Sequence, residues 1–322
     1  MTTVDQLQPY TNSVLDKTDF QGAGTRFQGK VRDVYRTDKN IILVASDRYS
    51  AFDRNLALIP FKGSVLTRVS NFWFEQTKDI IQNQVIAMPD PYVIVAKKCT
   101  PLPIEVVVRG YITGVTGTSL WTLYQGGQRD FGDFVLPDGM MKNQKLETPV
   151  ITPTTKSDEH DRPLTCKEVV SEGHVPEKLW NEVMEKALAV FVRGQQVARE
   201  RGLILVDTKY EFGLDENGEL TLIDEVHTPD SSRYWQLASY EARIREGKEP
   251  ENFDKEFLRL WFKEQCDPYN DPVLPEVPDE LRLELSYRYI QICEQITGEA
   301  FLLENNTPDV ARIEASLAPY VS

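Results

Sequence analysis

In the stretch V-D-T-K-Y-E-F-G (206–213), Asp207, Lys209 and Glu211 alternate with Val206, Thr208, Tyr210 and Phe212. Successive side chains of a strand face opposite sides, so this spacing predicts one apolar face and one charged face. Three charged groups on one face must meet either solvent or a charged ligand. The following L-D-E-N-G-E-L-T-L-I-D-E-V contains Asn-Gly, a strong hairpin signal. With Asn217-Gly218 as a two-residue loop, Glu211 stands directly opposite Asp224, their Cβ atoms about 5 Å apart. Two carboxylates that close repel. Either water and Lys209 satisfy them at an exposed edge, or a hard cation does. Mg²⁺ takes one or two protein carboxylates and completes its shell with water and phosphate oxygens, so the second option implies a nucleoside triphosphate.

Three further segments suit anions. G-T-R-F-Q-G-K-V-R-D-V-Y (24–35) places Lys30 and Arg32 after a glycine turn. It lacks the G-x-x-x-x-G-K-[ST] pattern and the helix of a P-loop. A glycine turn between strands with basic residues is similar to the flap over ATP phosphates in kinases, and equally to an ordinary turn with two solvated cations. Arg109 ends the apolar run P-I-E-V-V-V-R and leads into G-Y-I-T-G-V-T-G-T-S. Backbone N–H groups, hydroxyls and a guanidinium together suit a phosphate monoester, and they also fit a plain glycine-rich turn with a surface arginine. H-T-P-D-S-S-R-Y-W (227–235) gathers Asp230, Ser231, Ser232 and Arg233. Asp230 or Ser231 is expected to cap a helix from Tyr234, and a helix N-terminus also attracts anions. S-D-R-Y-S-A-F-D-R (46–54) is a polar loop that reads as a turn or as a substrate loop.

These groups need elements to hold them. Phe27–Tyr35 and Asn40–Ala45 are expected to pair around a turn at residues 37–40, with further strands at 92–97 and 104–109. A helix is expected over 65–76, then a long turn-rich region over 110–165. Leu179, Val183, Ala187 and Val190 recur at helical spacing, and Gly202 is a C-terminal stop, so 176–201 is expected to be a helix. Strands follow at 203–213 and 219–226, and helices at 236–246, 253–265 and 278–298. The prolines of D-P-Y-N-D-P-V-L-P-E-V-P forbid regular structure between the last two.

The chain has 322 residues, 41% hydrophobic and 27% charged, enough for two or three subdomains around a sizeable core. Its net charge of −14 argues against nucleic acid or an anionic membrane as the main partner, but not against a local basic pocket. The four cysteines form no C-x-x-C pair and the three histidines have no metal-ligand spacing, so reduced cytosolic thiols are expected. No apolar run approaches the roughly 18 residues of a membrane span, and no secretion signal is recognised, so a cytoplasmic location is expected.

P-I-E-V-V-V-R-G-Y with the later G-T-S, V-D-T-K-Y-E-F-G, and I-D-E-V-H-T-P-D-S-S-R, in this order and spacing, resemble the SAICAR synthetase family of de novo purine synthesis. The resemblance runs from G-K-V-R-D-V-Y to the helices after 250, and is to the longer, yeast-like members. Arg32 stands where short members have a second lysine. The resemblance implies an ATP-dependent ligase that joins L-aspartate to the carboxylate of CAIR, giving SAICAR, ADP and phosphate, by way of an acyl phosphate. It implies an α+β fold whose two lobes clasp ATP, similar to ATP-grasp and kinase-like folds, with C-terminal helices. The implied division is a β-rich lobe over 1–105, a central α/β lobe over 106–245, and a helical region over 246–322 packed on the body.

By the same resemblance, Lys30, Arg32, Lys97, Glu105 and Lys209 bind ATP. Ser50, Asp53, Arg109, Ser119, Ser232 and Arg233 bind CAIR. Lys156, Asp158 and His160 meet aspartate, and Glu211 and Asp224 hold Mg²⁺. Lys209, Asp53 and Asp158 are the implied catalytic groups, with either aspartate able to take the amine proton. The expected partners are ATP, CAIR and L-aspartate, with no nucleic acid and no membrane. A monomer is favoured, though the sequence does not give the oligomeric state. A small-molecule kinase with the same cleft and a non-catalytic nucleotide sensor are the rival readings. The sensor would not need Glu211, Asp224, Arg109 and Arg233 together.

Overall fold

The computed structural model describes residues 2–52, 54–156, 162–253 and 256–321. The chain divides into two compact units, each discontinuous in sequence. One holds residues 1–72, 84–98 and 253–322, and the other holds 73–83 and 99–252. Residues 253–322, most of the helical region expected over 246–322, cluster with the N-terminal strands.

The first unit is built on an antiparallel sheet. Its strands are β1 (Thr25–Gln28), β2 (Arg32–Arg36), β3 (Asn40–Ala45), β6 (Val85–Asp90) and β7 (Val93–Lys97), in the order β1-β2-β3-β7-β6. A separate hairpin pairs β4 (Arg48–Ala51) with β5 (Arg54–Leu58). The expected strand 27–35 is two strands, because residues 29–31 turn between β1 and β2. Alternation on β2 and β3 buries Tyr35, Ile42 and Val44. Leu15, Phe20, Val93, Val95 and the helix Val310–Leu317 close over them through Ile313 and Leu317.

The second unit centres on β10 (Leu203–Leu214). On one side it pairs with β8 (Thr100–Tyr111), and β8 pairs with β9 (Lys145–Thr155). On its other side, its first half takes β12 (Ser232–Gln236) and its end takes β11 (Leu220–Ile223). Val206, Thr208, Tyr210 and Phe212 are buried and Lys209 and Glu211 partly exposed, as the alternation predicts, but Asp207 of the charged face is buried as well.

The helix Glu177–Glu200 buries Trp180, Val183, Ala187, Val190, Phe191, Gly194 and Ala198. Gly194 is there because nothing larger fits. A Cβ would stand 2.3 Å from His227 Cε1 and 2.7 Å from Leu205 Cδ2. Both neighbours are fully buried, so neither can swing away. Gly194→Ala is expected to destabilise the protein by about 1–3 kcal/mol, the usual cost of overpacking, despite alanine's better helix propensity. A denaturant midpoint equal to or above the parent's would show that the helix can slide to make room.

His227 itself is fully buried at a φ of 49°. Its Nε2 meets the Tyr210 hydroxyl, and Trp73 packs edge-on against the ring at 4.8 Å. Burial lowers its pKa to about 3. An unfolded imidazole takes up a proton below about pH 6.5, and the folded one does not until about pH 3. Its contribution is therefore complete above pH 6.5 and falls with pH by up to about 1.4 kcal/mol per unit below that. The His227 Cε1 proton resonance is expected to stay at its neutral position from pH 8 to 5; a midpoint in that range would refute the burial argument.

Two sequence expectations are corrected here. The β10–β11 loop is not the two residues Asn217-Gly218, since Glu211 pairs with Ile223 and Leu214 with Leu220. The Asp215 carboxylate accepts from the Asn217 and Glu219 N–H groups at 2.9 and 3.0 Å. Asp215 N–H also bonds Glu219 O at 3.1 Å, and Gly218 takes φ 78°. This is the longer hairpin loop with a left-handed glycine, and it moves the register by one residue. The other correction concerns Tyr234, where no helix starts. Ser232–Gln236 is strand β12 on β10, and the helix begins at Leu237. The edge of β10 offers unpaired backbone groups, which this aromatic-rich segment satisfies better than a helix would. Among the described residues no helix is long and apolar enough to cross a membrane.

Candidate active site

The register of β10 sorts charge on its polar face. At one end Asp207 has Arg109 of β8 as its direct partner on one side and Arg233 of β12 on the other. Arg233 Nε lies 3.2 Å from Asp207 Oδ1, and Arg109 Nη1 lies 3.8 Å from Oδ2. Arg109 also donates Nε–H to Thr152 Oγ1 at 2.9 Å. Burial lowers the Arg109 pKa; Asp207 opposes this and the neighbouring Arg233 adds to it. An arginine remains charged regardless. Two guanidiniums share one carboxylate, so the group keeps a net positive charge suited to an anion.

Ser119 approaches the same place. A Cβ on Gly114, whose φ is 108°, would stand 2.3 Å from Ser119 Cβ and 3.6 Å from Arg233 Nη1. Glycine thus lets the loop after β8 pack closely on Ser119 near Arg233, while the Ser119 hydroxyl donates to Thr122 Oγ1 at 2.8 Å. Ser232 does not join them. Its hydroxyl donates to Thr208 Oγ1 at 2.7 Å, on the buried face opposite Arg233.

The other end of the face is a carboxylate–ammonium network. Glu211 is the direct partner of Glu105 across β10 and β8. Like charges directly opposite repel, and Lys209 relieves this by donating to Glu105 Oε1 at 2.5 Å and lying 3.6 Å from Glu211 Oε1. Lys156, at the end of β9, pairs with the other Glu211 oxygen. Lys156 is expected to meet aspartate and Glu105 to bind ATP; in the structure both belong to this network. Asp224 follows β11 in the left-handed conformation, φ 67°. It is not the strict cross-strand partner of Glu211, yet its charge reaches both Glu211 and Lys209. Burial, then Asp224, raise the Glu211 pKa against the pull of Lys156 and Lys209. Burial alone would lower the Lys209 ammonium, but Glu105, Glu211 and Asp224 outweigh it and hold it high.

Three carboxylates, Glu105, Glu211 and Asp224, thus gather around Lys209, the hard oxygen donors that a divalent cation takes. Among the described residues no group of three or more His, Cys, Asp or Glu is placed to hold a metal by itself. A Mg²⁺ ion that takes two carboxylates and completes its shell with water and phosphate needs no third.

A cavity of about 390 Å³ runs along β8 from Glu105 to Arg109. Its floor includes Glu105, Val107 and Arg109 of β8 with Thr152 and Thr154 of β9, and its wall includes Leu120, Phe131 and Phe134. The long 110–165 region, read as turns, thus supplies both strand β9 and the cavity wall.

Of the remaining candidates, those among the described residues lie in the first unit. Lys30 is exposed in the β1–β2 turn, Arg32 opens β2, and Lys97 closes β7. Ser50 sits on β4 opposite Asn55. Asp53, Asp158 and His160 lie outside the described residues. Sequence reasoning set Asp207 on the charged face of the V-D-T-K-Y-E-F-G alternation but gave it no role beside Arg109 and Arg233. It also missed Asp33 and Arg48, whose roles rest on contacts remote in sequence.

The fold and the cavity define the class: an α+β enzyme with a charged sheet face suited to phosphorylated small molecules. A family model described as SAICAR synthetase matches residues 25–275. A phosphoribosylaminoimidazole-succinocarboxamide synthase from Legionella pneumophila (strain Paris) is 56% identical over 283 residues, covering 88% of this chain and 91% of the relative. A chloroplastic synthase of the same name from Arabidopsis thaliana is 54% identical over 277 residues, covering 86% and 67%. The structure of the SAICAR synthase from Saccharomyces cerevisiae complexed with SAICAR superposes with a TM-score of 0.76 at 31% identity, covering 89% of this chain and 99% of that one. The chain belongs to the SAICAR synthetase family.

Proposed function

We propose that the two ends of the β10 face divide the reaction. Glu211, Asp224 and Lys209 serve the phosphoryl-transfer end with Mg²⁺, and Arg109, Arg233 and Ser119 hold the ribotide phosphate. The chain is an ATP-dependent carbon–nitrogen ligase of purine biosynthesis, joining L-aspartate to CAIR to give SAICAR, ADP and phosphate. The observation that carries the division of labour is that Glu105 and Arg109 line one cavity. Asp207 and Glu211 are four residues apart on β10, about 13 Å. That span leaves room for a ribotide phosphate at one end and its carboxylate at the other.

A carboxylate is a poor electrophile. Transfer of the γ-phosphoryl group makes it an acyl phosphate; the aspartate amine then attacks the carbonyl carbon and phosphate leaves. The protein positions the reactants and offsets developing charge. Bound Mg²⁺ would neutralise the phosphate oxygens. Lys209, held charged by three carboxylates, sits where it can follow the transferring phosphoryl group. Lys30, Arg32 and Lys97 are assigned to ATP, and Ser50 to CAIR. Asp53 or Asp158 accepts the amine proton, with Asp158 and His160 assigned to aspartate. A cytoplasmic monomer completes this reading.

The test follows ADP release from Mg-ATP and CAIR with and without L-aspartate, while SAICAR is read by its absorbance. ADP and SAICAR appearing together, only with aspartate, are expected. ADP without amide would make the chain a phosphotransferase and remove the ribotide roles of Arg109, Ser119 and Arg233.

A further inference from the structure

The β1–β2 turn that carries Lys30 is not self-supporting. Gly29 N–H bonds Arg32 O at 2.8 Å, which leaves Lys30-Val31 as a two-residue loop. Such loops favour types I′ and II′, whose positive φ matches strand twist. Neither Lys30 nor Val31 has a positive φ. The support comes from residues 46–48 instead. Arg48 donates from Nε to Lys30 O at 3.1 Å and from Nη2 to Gly29 O at 3.2 Å. Ser46 donates to Val31 O twice, from N–H at 3.0 Å and from Oγ at 2.8 Å. Three consecutive carbonyls of the loop are thus held from one segment. Arg48 is 1% exposed and is itself held by Asp33 at 2.9 Å and by Asp16 O.

We propose that Arg48, assisted by Ser46, is a positioning residue for nucleotide binding: it fixes the backbone from which Lys30 reaches the phosphates of ATP. This rests on the reading of Lys30 as a phosphate ligand. The guanidinium's planar fork serves three carbonyls and a carboxylate at once, more acceptors than a lysine's three N–H donors can meet. Arg48→Lys keeps a charge beside Asp33 and gives up the fork, so the fold has a partner for its buried carboxylate while the loop loses its brace.

The experiment measures ATP binding by calorimetry and KM for ATP and for CAIR. The variants are Lys30→Ala, Arg48→Lys, the double variant and Ser46→Ala. Arg48→Lys is expected to weaken ATP about tenfold, with a much smaller change for CAIR, since small misplacements of a binding group are costly. Ser46→Ala should act in the same direction by less, because the backbone N–H of residue 46 remains. In the Lys30→Ala background, Arg48→Lys should cost nothing further for ATP, because the ammonium it positions is gone. Additive losses, or equal losses for ATP and CAIR, would mean a merely structural role and overturn the proposal. If Lys30→Ala leaves ATP binding intact, the phosphate role of Lys30 fails, and the nucleotide role of Arg48 with it. Amide exchange at Lys30 and Val31, faster in Arg48→Lys, then still reports whether Arg48 holds the loop. Should Arg48→Lys not fold, Ser46→Ala in both backgrounds decides by the same criteria.

Discussion

Asp224→Asn is expected to lower turnover by at least about a hundredfold while leaving the protein folded, in line with the loss of one preorganised charge at a phosphoryl-transfer site. Asparagine is the fitting probe here. Asp224 sits at φ 67°, a conformation that asparagine adopts readily and most other residues do not. The substitution therefore removes a charge without imposing backbone strain. Without ligands, Asp224 repels Glu211 and attracts Lys209, two effects on stability that oppose each other, so the variant's melting temperature should stay close to the parent's. Loss of activity with no loss of stability is the signature of a group kept for chemistry. The Mg²⁺ activation curve should also shift to higher concentration. Full turnover in this variant would remove Asp224 from the metal assignment.

Asp33→Ala is expected to cost about 3–5 kcal/mol of stability, because it leaves the Arg48 guanidinium buried without its carboxylate. Asp33 and Arg48 are each 1% exposed, and they meet at 2.9 Å. The same carboxylate accepts from Thr18 N–H at 2.6 Å and Thr18 Oγ at 3.0 Å. It thereby ties the segment before β1 to the Arg48 brace. Asp33→Asn, which keeps acceptor oxygen for Thr18, should lose less. Urea denaturation checks both: the midpoint should fall with an unchanged slope. A loss under about 1 kcal/mol for the alanine variant would show that the surroundings neutralise Arg48 by another route.

Much of the site could be read one strand at a time. The alternation in V-D-T-K-Y-E-F-G assigned Lys209 and Glu211 to one face and Tyr210 and Phe212 to the other, because side-chain direction is a local property of an extended chain. Arg109 and Arg233 were picked out by residue type beside glycine, serine and threonine. Helix 177–200 was legible from its apolar spacing and its terminal glycine.

What could not be read was who stands beside whom. One carboxylate, that of Asp215, lengthens the β10–β11 loop by a residue, so Glu211 meets Ile223 and not Asp224. The carboxylate opposite Glu211 is Glu105, more than a hundred residues earlier, and Lys209 relieves their repulsion. Ser232 and Arg233 are neighbours in sequence, but as part of a strand they face opposite sides, so one is buried against Thr208 and the other reaches Asp207. Residue types and local alternation depend on bonds along the chain. Register and pairing depend on turn geometry and on which distant strand fills a sheet edge, and those were decided only when the chain folded.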